Sequence, residues 1–452
     1  MVSDSSVQRL KATLHGTVLT PRDQGYDAAR MVWNIMIDRR PALIARCADA
    51  VDVTHAIHFA REHGLVASIR GGGHNVAGNA VCDDGLMIDL SRMKEIRVDH
   101  GRRVADAQPG VTLGEFDAAT QAVGLATTLG TVSMTGIAGL TLGGGLGWLM
   151  GKHGLACDNV LSMEVVTAEG DVRTASASEH EDLFWALRGA GSNFGVVTNF
   201  RYRLHPLGAV LSGMVAYPLA RAKEVLRFYR DFVTTCPDEL IVHAGILNGP
   251  DGSPIVAFPF CHCGALEEGE KLIAPMRRLG SPAAEIVTAM PYVQVQQMFD
   301  ASFPANHHNY WKAGFMPALS DDTITALIDD FSARPSPGSL LFIEHLHGAV
   351  TRVPVDATAF PYRGEHFSVL AIAIWPDAAH TDANLQWIRR FWTNMERSGA
   401  AGVYVNYLSQ EGDVRARAAY GPNYPRLAAL KAKYDPGNFF RMNQNIEPAV
   451  VA

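Results

Sequence analysis

Residues 70–75 read Arg-Gly-Gly-Gly-His-Asn. Three glycines strip a turn of side chains, so its backbone N–H groups can close on an anion such as a pyrophosphate. His74 then restores a single imidazole at the exit. A neutral imidazole in that position is a nucleophile for an electrophilic ring held beside it. A second cluster, GLTLGGGLG at residues 139–147, lacks the G-x-G-x-x-G of a strand-to-helix NAD turn. Several glycine loops in one region point instead to an extended dinucleotide. Other chemistry-bearing residues come later. NHHNYWKAGFM groups His307, His308, Tyr310, Trp311 and Lys312, and Tyr310 or Trp311 is a candidate aromatic wall over a flat substrate, with sheet packing as the competing reading. In IEHLHG, strand alternation sets Glu344 with Leu346 on one face and His345 with His347 on the other. Cys261-His262-Cys263 lacks the C-x2-4-C pairs of a zinc site, and the six cysteines are scattered rather than framed as disulfides. No metal site is expected.

The elements that must hold these residues follow from periodicity. ADAVDVTHAIHFAREHG has apolar residues at helical spacing and stops at Gly64, and LVASIR reads as the strand that runs into the glycine turn. From Arg70 to Gly195 glycine bursts alternate with short β-type runs such as GLMIDLSRM, RRVADAQPG and NVLSMEVVTAEGDVRTAS. After about Leu207 the texture changes: LARAKEVLRFYRDFVTT and SDDTITALIDDFSARPSPGS predict amphipathic helices, while GSPIVAFPFCHCG, GSLLFIEHLHGAV and HFSVLAIAIWP predict strands. The end, YPRLAALKAKYDPGNFFRMNQNI, predicts a helix stopped at Asp435-Pro436-Gly437 and an extended tail.

With 452 residues the chain exceeds the size at which one core stops growing, so two lobes are expected. Its 48% hydrophobic and 19% charged residues suit a compact fold. A net charge of −7 and the lack of any Lys/Arg run argue against nucleic acid and anionic membranes as partners. MVSDSSVQRLKATLHG lacks the pattern of a secretory signal, and no apolar run approaches the ~18 residues of a membrane span, so the cytoplasm is the expected location.

The segments SIRGGGHNVAGNAVCDDGLMIDLSRM, LTLGGGLGWLMGKHGLACDNVLSMEVVTAEG, LFWALRGAGSNFGVVTNF, VNYLSQEG and LKAKYDPGNFFRMNQNI together resemble the FAD-linked oxidases of the vanillyl-alcohol-oxidase superfamily. The likeness is to the berberine-bridge-enzyme-like group, over nearly the whole length. It implies an α+β fold: a two-lobed PCMH-type FAD-binding domain (1–206), a substrate domain with an antiparallel sheet covered by helices (207–408), and a C-terminal segment returning to the FAD domain (409–452). It also implies FAD held by one 8α-histidyl bond to His74. Arg70, Gly71, Gly72, Gly73, Asn75 and Gly78 would form the pyrophosphate turn, and Gly130, Thr131, Ser133, Gly136, Gly143 and Gly191 further contacts. Val197 would lie near the adenine, and Asn443 and Asn445 against the flavin. Many members attach FAD a second time through a cysteine where this chain has Gly136, so a single link is expected. Cys157 reads as a small buried filler.

By the same resemblance, Tyr407 of the Asn406-Tyr407 pair is the base, on a late strand whose alternation would turn it away from Asn406 and roughly from Tyr404. A phenol titrates near about 10, so a cation or donors must lower it, with Lys312, Arg352 and His347 as candidates. Trp311, Tyr310, Tyr404 and Glu344 are the expected substrate contacts. The implied activity is oxidation of an alcohol or amine of a small secondary metabolite, with molecular oxygen as acceptor and hydrogen peroxide as product. A dehydrogenase using another acceptor, an oligosaccharide oxidase and a non-catalytic flavin or natural-product binder stay open, and nothing sets the oligomeric state.

Overall fold

The computed structural model describes residues 2–450. Helix Ala50–Glu62 starts where the Asp49 carboxylate accepts the Asp52 N–H, and it buries Val53, Ala56, Ile57 and Ala60 on one stripe. That stripe packs on a four-stranded sheet in the order Thr17–Leu19, Leu43–Arg46, Leu86–Asp89, Ala67–Arg70. The last three strands run parallel, with Ile69 paired to Ile88. All four residues of Leu86–Asp89 are buried, as a strand covered on both faces requires. Ala67–Arg70 delivers the triple-glycine turn at its carboxyl end.

An antiparallel five-stranded sheet follows, ordered Ile96–Asp99, Val104–Ala107, Val196–Arg203, Val160–Val166, Val172–Ser176. The change of sheet falls between Arg203 and Val210, where the texture of the sequence also changes. From there an antiparallel eight-stranded sheet runs Ala284–Met290, Val210–Pro218, Pro254–His262, Ala244–Asn248, Leu340–Leu346, His366–Trp375, His308–Met316, with Leu240–Val242 also paired to Pro254–His262. Helices Ala222–Val233, Leu266–Arg277, Asp321–Ser332 and Thr381–Arg397 cover one face of it, burying Val225, Leu226, Ile324, Leu327, Ile388 and Phe391. The opposite face looks toward the glycine loops. No described helix is long and apolar enough to cross a membrane.

The expected late strand around Tyr407 is not one. Val405–Tyr407 is a single 3-10 turn, in which the Tyr407 N–H donates to the Tyr404 carbonyl at 2.9 Å. The chain leaves the edge of the large sheet at a lone bridge between Phe315 and Ala401 and enters the gap between the sheets, where no ladder is available. Three residues of tight turn bring side chains i and i+3 to one side, so Tyr404 and Tyr407 meet edge-on with ring centroids 4.8 Å apart. The expectation that they face apart is corrected.

The helix Tyr424–Tyr434 and the tail after it return to the first half of the molecule. Lys431, wholly buried, donates to the carbonyls of Asn193 (2.7 Å) and Phe440 (2.9 Å) and to the Asp435 carboxylate (2.6 Å). Asp435 also accepts the N–H groups of Phe439 and Phe440. Asn193 Oδ1 takes the Ile446 N–H at 2.9 Å. Removing one partner of such a buried pair leaves a naked charge. Lys431→Met is therefore expected to lower the unfolding free energy by about 3–5 kcal/mol, read from chemical denaturation; a loss within 1 kcal/mol, about the worth of an exposed pair, would contradict this account.

Candidate active site

The glycine turn lies against a second loop at its narrowest point. A Cβ on Gly136 would sit 2.6 Å from the Gly72 nitrogen, and one on Gly72 2.6 Å from the Gly136 Cα. Two backbones touching at this distance leave no room for any side chain at either position. Gly73 (φ +72°) then turns the chain in the left-handed region, which glycine adopts without Cβ strain. The Trp33 N–H donates to the Gly73 carbonyl at 3.0 Å, and the indole stacks on His74 at 4.3 Å and 16°.

Between these loops and the large sheet lies a cavity of about 280 Å³. Gly71, Gly72, Gly73, His74 and Asn75 line it from the first loop. Gly130, Thr131, Gly136, Gly143 and Gly191 line it from the second region, and Asn443 from the tail. Trp311, Tyr404 and Tyr407 line it from the sheet side. Among the described residues lining it there is no Asp, Glu, Lys or Arg.

Several predicted residues stand behind the wall instead. Arg70 donates to the Ala29 carbonyl, and its guanidinium packs on Gly73. Gly78 offers its carbonyl to Arg39 at 2.9 Å, and Ser133 is bonded through N and Oγ to Asp300. Both buttress the loops from outside. Val197 is 3% exposed in the core with Phe194 and Phe200 and does not line the cavity, since strand alternation turns it inward. Tyr310 is also corrected: alternation along His308–Met316 sends Trp311 to the cavity and Tyr310 to the helix-covered core. The Tyr404 hydroxyl is committed to the chain, bonded to the Gly145 N–H (2.8 Å) and Asn406 Nδ2 (2.7 Å), so only its ring borders the cavity.

Glu344 sits directly behind Tyr407, whose hydroxyl donates to Glu344 Oε1 at 3.1 Å. Burial raises the Glu344 carboxyl to about 7, while burial and the neighbouring carboxylate push the Tyr407 phenol well above its ordinary range. No cation lowers it. Lys312 is paired with Glu411, Arg352 with Asp238, and His347 has its ring against His345. The expected support for a phenolate from these three residues is thus replaced by a phenol–carboxylate pair.

The donor set fits a flavin dinucleotide. The uncharged glycine loops offer amides to phosphates, and two residues of the lining carry buried atoms without a protein partner, His74 Nε2 and Asn443 Oδ1; Asn445 Oδ1 is also without one, but Asn445 does not line the cavity. Burial lowers His74 to about 4, so its ring is neutral at ordinary pH. Cys157 does not line the cavity. Its thiol is fully buried, lies 3.7 Å from Asp158 Oδ1 and is pushed far up by burial. Trp33, Phe299, Phe303 and Phe342 were not singled out from sequence. They stand in loops or strand positions with no glycine or polar signature.

Comparison with known proteins agrees with this geometry. The family described as FAD binding domain matches residues 41–176, and that described as berberine and berberine like matches residues 403–447. The chain is 33% identical over 421 residues to an FAD-linked oxidoreductase of Dictyostelium discoideum, covering 92% of this chain and 91% of that one. It is 33% identical over 449 residues to (R)-6-hydroxynicotine oxidase of Paenarthrobacter nicotinovorans, covering 96% and 97%. The crystal structure of 6-hydroxy-D-nicotine oxidase from Arthrobacter nicotinovorans superposes with a TM-score of 0.88 at 32% identity, over 96% of this chain and 98% of that one.

Because Gly136 meets Gly72 backbone to backbone, Gly136→Ala is expected to cost about 1–3 kcal/mol, the usual range for overpacking, and to weaken FAD retention. Denaturant unfolding and the absorbance of bound flavin check both. A variant of unchanged stability and flavin content would show that the loops can part freely.

Proposed function

Because the chain belongs to the berberine-type FAD-linked oxidoreductases, we propose that it oxidises an alcohol or amine of a small molecule, with FAD attached through His74 alone and O2 as the final acceptor, released as H2O2. The observation that carries this reading is one cavity with a partner-free imidazole nitrogen on its glycine turn and a phenol–carboxylate pair on its sheet wall. Bound FAD supplies the hydride acceptor and passes the electrons to oxygen.

The chain's own residues do the rest. Neutral His74 has a lone pair for the flavin's 8α carbon, and Trp33 holds the imidazole plane by stacking. Gly136 leaves no thiol for a second bond. Tyr407 gives its hydrogen to Glu344, so its oxygen lone pairs are free to accept a substrate O–H or N–H. As the adjacent carbon loses its hydride, the substrate proton moves to the Tyr407 oxygen and the tyrosine's own proton moves to Glu344. The substrate leaves as a carbonyl or imine. A carboxyl near 7 accepts that proton at neutral pH, and no free phenolate is required.

Intact mass and the fluorescence of an acid-denatured gel test the link: one FAD mass on the wild type, none on His74→Ala. A wild-type chain without that mass refutes covalent attachment. Tyr407→Phe and Glu344→Gln are each expected to lower kcat by about 10²–10⁴ with flavin content kept, the usual contribution of a positioned acid or base. Since Glu344 works ionised, kcat/KM should fall as pH drops through about 7, and Glu344→Gln should flatten that limb. A limb that survives in Glu344→Gln assigns the titration elsewhere.

A further inference from the structure

The sheet side of the cavity is made almost wholly of hydrocarbon. Met214, Leu247, Leu340, Leu370 and Ile372 project from four strands, and Phe299, Phe303, Trp311 and Phe342 add rings to the lining. The few polar groups there are largely committed. The Trp311 indole N–H reaches Asn309 Oδ1 at 3.4 Å, and the Tyr404 hydroxyl and Asn406 amide hold each other and the loop carbonyl of Leu140. Polar capacity left over on the lining is small: the acceptor side of Tyr407, the hydroxyl of Ser302, Asn406 Oδ1 and the Tyr404 hydroxyl hydrogen. A sugar ring brings four or five hydroxyls, and each one desolvated without a partner weakens binding. A cation would find no acidic side chain among the described residues lining the cavity, because Glu344 stands behind Tyr407 and does not reach the lining.

We propose that the substrate of this site is an uncharged, ring-bearing alcohol with one hydroxyl on an otherwise apolar skeleton, the hydroxyl meeting Tyr407 and the ring lying among Trp311, Phe303 and Phe342. The proposal rests on the oxidoreductase reading above. It sets aside oligosaccharides and charged amines. Ile372 and Leu370, 1% and 2% exposed in neighbouring positions of one strand face, are the residues that make the wall dry.

The test measures binding rather than turnover. Purified full-length protein with its flavin is titrated with 2-naphthylmethanol, cellobiose and 2-naphthylmethylammonium, following thermal stabilisation and the flavin difference spectrum. The expected result is saturable binding of 2-naphthylmethanol at least about tenfold tighter than either competitor, the discrimination a dry pocket gives against unpaired polar groups. Equal or tighter binding of cellobiose overturns the proposal, and so does equal or tighter binding of the ammonium. Binding of none of the three overturns it as well. Ile372→Thr, smaller by one heavy atom and polar, should weaken 2-naphthylmethanol about fivefold, while Leu370→Met, which keeps volume and apolarity, should hold affinity. If neither variant moves affinity, the probe is not among these residues and the proposal fails. Intact mass, read on the same samples, reports the FAD link independently, so loss of the flavin reading and loss of the substrate assignment are separate results.

Discussion

Two glycines in contact, Gly72 and Gly136, decide the shape of everything around them. They let the turn after Ala67–Arg70 lie on the loop before helix Ile137–Leu142 with backbone against backbone, and the cavity runs along both. His74 follows two residues after this contact, so its direction is inherited from it, with Trp33 closing the other side of the imidazole. The same contact leaves no room for a side chain at position 136. A cysteine at 136 would need space that Gly72 occupies.

The opposite wall works by a different principle. There the backbone is a laddered sheet, so side chains are placed by register: Phe342 and Glu344 share a face of Leu340–Leu346, and Leu370 and Ile372 share one of His366–Trp375. The ladder satisfies the backbone, so that face can be apolar without stranding amides. The exception is the 3-10 turn Val405–Tyr407, which spans the gap between a glycine loop and the sheet. Its Tyr404 grips the loop through Gly145 while its Tyr407 grips the sheet through Glu344. One short turn thereby ties a glycine loop to the large sheet.

The glycine bursts, the helix before them, the later strands and the Asp435-Pro436-Gly437 stop were legible because each rests on local chemistry: φ freedom, 3.6 or 2.0 periodicity, a missing N–H. The partnership of Tyr407 with Glu344 was not, because 63 residues separate them and only sheet register joins them. Nor was the 3-10 turn. YVNYL alternates as a strand does, but a strand needs a neighbour, and the chain there has none. Tyr310 and Trp311 show the limit in miniature: alternation says that they face apart, while which face borders the cavity depends on the helices stacked over the other side. Trp33 is legible only in three dimensions, 41 residues before the histidine it stacks on.

The buried knot of Lys431, Asp435, Asn193 and Phe440 has a consequence for biosynthesis. Met442, Asn443 and Gln444 of the lining follow shortly after Phe440, and the knot joins a loop near the middle of the chain to residues made near its end. While a ribosome is still extending the chain, the glycine turns can form but the cavity lacks the share of its lining that the tail supplies. The lining of the cavity is therefore complete only once the tail is in place.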